Sequence, residues 1–425
     1  MRNLRDHVLF TTIVIVTVGT AGLRAQTIEQ VTFDDAVRRA IANHPAVQAA
    51  AADIVRAEGV AQQVRAQALP AVGALVTANL VDPITRFSGS AIVPRTQTVT
   101  SADLFVPLIV PVRWAERNHA VDQVLVSRRG EEDARRQVGV AAGEAYLAVI
   151  ALQRVVELNE RARDNARAHY EYANQRFQGG IGSRLNAVRA EQEVSAIESR
   201  VEEVRFAVRR AQEALGVLIA ADGPVNVAGE PTFEVPSPTV PDAGLVADRE
   251  DIRLIQARES AAQRRAADAW KDYLPSVTAL FAPQVLAPAG LFANSRSWRA
   301  AFLFAVPLYD GGQRRGQARE RLAQLDVVRA ERTGAVRRAN SEIRTAREAV
   351  AATERALAYA QQAAEQANEV VRITDIAFRE GANTNIEVID AQREARDAET
   401  AAAVAGHAVR RAHLELLVAL GRFPQ

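Results

Sequence analysis

At 425 residues the chain has room for two or three ordinary domains, and its apolar share of 48% contains only 5% aromatics, so Ala, Val and Leu make up most of it. Such a mixture suits closely packed helices better than an aromatic-rich core. Lys+Arg 52 against Asp+Glu 51 leaves a formal net charge of +1, which removes the electrostatic case for a nucleic-acid partner. The absence of cysteine excludes disulfides, thiol catalysis and a lipid-bearing cysteine behind a leader.

Arg2 and Arg5 precede an apolar run from Val8 to Val18, followed by Leu23-Arg24-Ala25. This is the pattern of a secretory signal peptide over residues 1–25, too short to serve as a bilayer-spanning anchor. No later segment is expected to be a membrane helix. The first structural repeat is expected over residues 26–220. Thr32 is placed to cap a helix through Phe33, Val37, Ala40 and Ile41, with Asp34 and Asp35 favouring its positive end. Pro45 starts a second helix, and Leu69-Pro70 stops it.

From about 70 to 112 the character changes to Gly, Pro, Thr and Val. Val72, Ala74, Val76, Ala78 and Leu80 alternate with Gly73, Thr77 and Asn79, and a second strand-like run ends at Pro107. The pattern predicts a β-hairpin whose strands have the length that crosses a bilayer when tilted. A helical hairpin follows over about 113–220, its first arm roughly 100 Å long. From Val138 through Ala145, Leu152, Asn159, Ala166 and Ala173 its spacing alternates three and four, a heptad seam made largely of alanine. The tip lies at 178–184, and a Pro-rich linker at 221–242 closes the repeat.

The second repeat, 243–425, restates this order. A helix over 251–273 stops at Leu274-Pro275, and a β-hairpin at about 275–309 sets Trp298, Phe302 and Phe304 on one face, expected to meet lipid. A helical hairpin spans about 312–421, with a seam from Val336 to Phe378 and a tip at 379–385. Phe177 pairs with Phe378, Gly180 with Gly381 and Leu185 with Ile386, always 201 positions apart. A tip recurring at fixed spacing marks a duplication. Gly180 and Gly381 supply the positive-φ corner that a helix reversal needs. The fold class is therefore mainly α with β, a duplicated helix–β-hairpin–long helix–helix repeat.

Helices this long are stable only where neighbours cover their apolar stripe along its whole length. Four strands cannot close a membrane barrel, whose smallest form has eight, and an open edge is forbidden in lipid. Strands that span a membrane must then be pooled, each copy giving a third or a half of a shared barrel. An enzymatic reading finds little support. The six histidines make no helical i, i+4 pair, and Gly179-Gly180-Ile181-Gly182-Ser183 lacks the lysine of a phosphate loop. No catalytic residue, cofactor or metal site is expected. The competing reading is a secreted periplasmic coiled-coil or adaptor protein without a barrel.

Over essentially its whole mature length the chain resembles the TolC-like outer-membrane efflux proteins. The carriers are the opening Val31-Thr32-Phe33-Asp34-Asp35-Ala36-Val37 with Asn43-His44-Pro45, the paired Leu-Pro stops, Val306-Pro307-Leu308-Tyr309-Asp310-Gly311-Gly312, and the two tips. The resemblance implies a homotrimer with a shared outer-membrane β-barrel and a long α-helical barrel in the periplasm. It implies a passive exit duct opened by a periplasmic adaptor (membrane fusion) protein and an inner-membrane pump of RND or ABC type. Residues 221–242 would fall in its equatorial region. By the same resemblance Glu387 and Asp390, at i and i+3, line the periplasmic gate as an anionic ring. Asn383 and Asn186 occupy the positions of a basic–acidic lock, which leaves a hydrogen bond as the link they can make. Phe177, Gly180, Gly182, Phe378 and Gly381 form the tip turns that an adaptor meets.

Overall fold

A computed structural model describes residues 28–234 and 246–423, so the expected signal peptide and the later part of the Pro-rich linker lie outside the described residues. Thr32 caps α1 (Phe33–Asn43), its Oγ1 accepting from Asp35 N at 3.3 Å. His44 caps α2 (Pro45–Ala66), with Pro45 in the first turn where no N–H is needed. Strands β2 (Ala71–Leu80) and β5 (Thr96–Ile109) form the first hairpin, and a small ladder of β3 (Arg86–Phe87) and β4 (Ser90–Ala91) decorates its loop. Helix α3 (Pro111–Gln178) has 68 residues, about 100 Å, and returns as α4 (Arg184–Ile219). The second repeat comprises α5 (Glu250–Ala267), β7 (Ser276–Ala287), β8 (Arg296–Ala305), α6 (Gln313–Arg379) and α7 (Asn385–Ala419).

Three local expectations need correction. The helix predicted over 251–273 is α-helical only to Ala267 and tightens into a 3₁₀ turn, Asp268–Tyr273. Pro275 denies Leu274 the α region, so the last carbonyls are satisfied by shorter i→i+3 bonds. The linker contains a strand, β6 (Val225–Val227), which pairs in parallel with β1 (Glu29–Val31). Three residues are too few to show alternation, and the partner strand lies in the opposite end of the repeat. Finally, α3 holds an 18-residue window of mean hydropathy 1.4, apolar enough by composition to cross a membrane. Its Val138, Ala142, Tyr146, Leu147, Val149 and Ile150 are instead core residues of a belt around the helices. Val31, Val37, Leu215, Ile219 and Val225 complete that core, and Phe33 meets Tyr146 and Phe233 edge to face at 5.4 Å.

Both predicted seams are the stripes that the helices cover. Every seam residue from Val138 to Ala173 and from Val336 to Phe378 is buried or half-buried. Polar seam members are satisfied within their own helix: Asn159 donates to Val155 O at 2.7 Å and Thr374 to Val370 O at 2.7 Å. Alanine seams bury little area per residue, so length replaces side-chain size as the source of stability.

The four long strands form one antiparallel sheet in the order β2-β5-β7-β8. Register fixes its faces, because directly paired residues point the same way. Val76 pairs with Thr100, Thr100 with Val285, Ala279 with Phe302 and Val277 with Phe304. One face is thus mostly apolar, with Val72, Val76, Leu80, Phe281, Trp298, Phe302 and Phe304 each well exposed in the single chain and Thr96, Thr98, Thr100 and Arg296 toward one end. The other face is mixed and carries Thr77, Asn79, Ser101, Asp103, Gln284 and Arg299. Strands β2 and β8 are both open edges.

Candidate gate at the helical tip

The two tips are built alike at the backbone. Gly180 and Gly381 have φ of +77° and +79°. Ile181 N donates to Arg176 O at 3.0 Å, and Ala382 N to Ala377 O at 2.8 Å, bonds that satisfy the last free carbonyls of α3 and α6. Gly182 serves differently from the other two: a Cβ there would lie 2.8 Å from backbone atoms of Arg176 and Phe177. Ser183 Oγ accepts from Leu185 N and caps α4, while Thr384 and Glu387 form a capping box at α7, with Thr384 N donating to Glu387 Oε2 at 3.1 Å.

Side chains make the tips unequal. Phe378 is buried against His169 and Tyr172, at centroid distances of 5.4 and 5.9 Å, whereas Phe177 stands 40% exposed. Ile181, Leu185 and Val188 are exposed as well, so the first tip presents an apolar set of side chains to solvent. Glu387 is exposed and helps to cap α7, and Asp390 is exposed with Arg393 Nη1 3.9 Å away.

Asn383 and Asn186 are not joined through their side chains. The link runs through Asn385, whose Nδ2 donates to Asn186 O at 3.3 Å and whose Oδ1 lies 2.7 Å from His169 Nε2. The amide donates to a carbonyl, so Oδ1 must accept, and the neutral imidazole carries its proton on Nε2. Burial pushes the His169 pKa below its usual 6.5, against opposing effects from Asn385 and Asp375. Two turns further on, Glu193 is buried and bonded by Arg393 and, at 3.5 Å, by Arg396. The Glu193 bond holds the Arg393 pKa above its usual value.

The first and second helical hairpins are thus bound by two polar ties, His169–Asn385–Asn186 and Glu193–Arg393/Arg396. Neither was singled out by the sequence. The available signal was a histidine inside a seam made mostly of aliphatic residues, and a glutamate at 193 spaced with Ala190 and Ile197 on the covered stripe of α4.

A family model described as outer membrane efflux protein matches residues 36–221 and 245–422. The chain is 26% identical over 411 residues to the pyoverdine export outer membrane protein OpmQ of Pseudomonas aeruginosa, covering 92% of this chain and 85% of OpmQ. Its fold matches a membrane protein from Pseudomonas aeruginosa with a TM-score of 0.82 at 20% identity, covering 93% and 91% of the two chains. It matches the outer membrane protein VceC of Vibrio cholerae with a TM-score of 0.78 at 20% identity, covering 92% and 96%.

Proposed function

Since the chain belongs to the outer membrane efflux protein family, whose members are channels of tripartite efflux systems, we propose that three copies form a passive outer-membrane exit duct gated at its periplasmic tip. The observation that carries this reading is the sheet: four strands, one mostly apolar exposed face, a mixed opposite face and two unpaired edges. In lipid those edges must be paired. Joining β8 of one copy to β2 of the next through three copies gives a closed barrel of twelve strands, with Trp298, Phe302 and Phe304 toward lipid. The helical hairpins then prolong the bore by about 100 Å into the periplasm.

The duct performs no chemistry of its own. Solute is driven by an inner-membrane pump, and an adaptor that seats on the tip opens it; the apolar set of Phe177, Ile181 and Leu185 is the surface that such a helical partner fits. Glu387 and Asp390 ring the constriction, Asp390 as the freer charge because Glu387 also caps α7. The test is conductance in planar bilayers. Replacing Glu387 and Asp390 together by Ala should raise single-channel conductance or weaken block by multivalent cations. Unchanged conductance and block would remove the gate assignment and leave the duct standing.

A further inference from the structure

Where α5 begins against α3, acids outnumber the cations that face them. Glu250, the first residue of α5, accepts from Arg253 Nη1 at 2.7 Å through Oε1, and Arg253 is shared with Asp248, 3.1 Å away. On α3, Arg129 Nη1 donates to Glu132 Oε2 at 2.6 Å and stands 4.0 Å from Glu250 Oε2, beyond hydrogen-bond reach. Three carboxylates, Glu132, Asp248 and Glu250, thus divide two guanidiniums. The other arginines of this region are already taken. Arg128, Arg135 and Arg136 on α3 bind Glu58, Glu131 and Asp133, and Arg249 is divided between Asp251 and, from α6, Glu342.

Glu250 Oε2 is the atom this arrangement leaves over. It is buried, and among the described residues no donor reaches it. A buried carboxylate oxygen without a donor costs the desolvation of the group, and a proton removes that cost by turning an acceptor into a donor. The Glu132 carboxyl adjoins it and is the acceptor at hand. Burial, with this like-charged neighbour, raises the Glu250 pKa above its usual 4.5 in spite of Arg253. Asp251, the next residue, goes the other way: against its own burial, Arg249 and Arg136 hold it below 3.8. The excess proton therefore belongs to Glu250.

We propose that Glu132 and Glu250 share one proton and so form a clamp between the two repeats that strengthens in acid. The clamp lies within one chain, so it stands whether or not a barrel forms. A carboxyl that holds its proton more tightly in the folded state adds stability as pH falls through the folded value, and the gain is complete below 4.5. The His169 bond at the tip has the opposite sign, since burial lowers its pKa. Acid thus tightens the junction of α3 with α5 while it loosens the tip, which confines the response to one end of the helices.

The test follows amide protection factors of the purified full-length protein, corrected for intrinsic exchange, in residues 126–136 and 250–256. They should rise between pH 7.5 and pH 5, the interval in which those of the tip fall. Glu250→Gln carries a permanent donor in place of the proton and should hold protection at its acid level throughout. Glu132→Gln should flatten the dependence as well, because its amide can donate to Glu250. His169→Gln should leave the rise at the junction unchanged. Three results would overturn the clamp: protection in the parent that stays level or falls, a glutamine variant at 132 or 250 that keeps the parent's rise, or a rise that vanishes with His169→Gln.

Discussion

His169 lies between Phe378 and Asn385 with its pKa held below 6.5 by burial. A tip that opens or unfolds releases the imidazole to water, where it binds a proton more readily than in the closed state. The His169 contribution is accordingly complete above about pH 6.5 and is lost as pH falls through the lower folded value. Amide protection factors in residues 165–185 and 376–392, corrected for the pH dependence of intrinsic exchange, should fall between pH 7.5 and pH 5, and His169→Gln should flatten that dependence. Glu193 obeys a different rule. Its carboxylate is buried, but Arg393 is about half exposed and can turn to water when the pair is broken. Glu193→Ala should cost about 1–3 kcal/mol, short of the loss from a wholly buried pair, as read from urea unfolding. A cycle with Arg393→Ala should show coupling between the two; additivity would discard the tie.

At the scale of the element, the turns decide how closely a hairpin closes. Gly381 has φ of +79° with open space around it, so Gly381→Ala meets only backbone strain, about 1–2 kcal/mol. Gly182→Ala meets backbone atoms at 2.8 Å and should disturb the first tip more, although its φ is not positive. Comparing the thermal midpoints of the two variants checks this order. The duplicated seams explain why the arms can be so long. Each alanine removes little apolar surface, and only pairing along the whole length, with α2 and α4 on α3 and with α5 and α7 on α6, gives enough burial to outweigh the entropy of ordering them.

For the whole molecule, the sheet sets where the protein can exist. An arginine at Phe302, on the apolar face, should cost about 2–4 kcal/mol near mid-bilayer and reduce the yield of SDS-resistant trimer. An arginine at Thr77, on the mixed face, should leave assembly intact and alter ion selectivity instead. Equal effects at the two positions would contradict the assignment of faces. The belt where β1 meets β6 ties the two ends of the first repeat together around Tyr146, whose hydroxyl donates to Gly229 O at 2.8 Å.

Periodicity is local information, and what depends on it was legible from residues alone: the two long hairpins, their seams, the Gly180 and Gly381 corners, and the strand face of Val72, Val76 and Leu80. The unlike fates of Phe177 and Phe378 could not be read that way, because the 201-residue repeat makes the two positions equivalent in sequence. Only the packing of the second tip against His169 and Tyr172 separates them. The same holds for the β1–β6 pair, the Glu193 tie and the passage of the tip bond through Asn385. Each joins residues far apart in the chain, and such a pairing is decided by how the hairpins lie against one another, a property that no window of sequence contains.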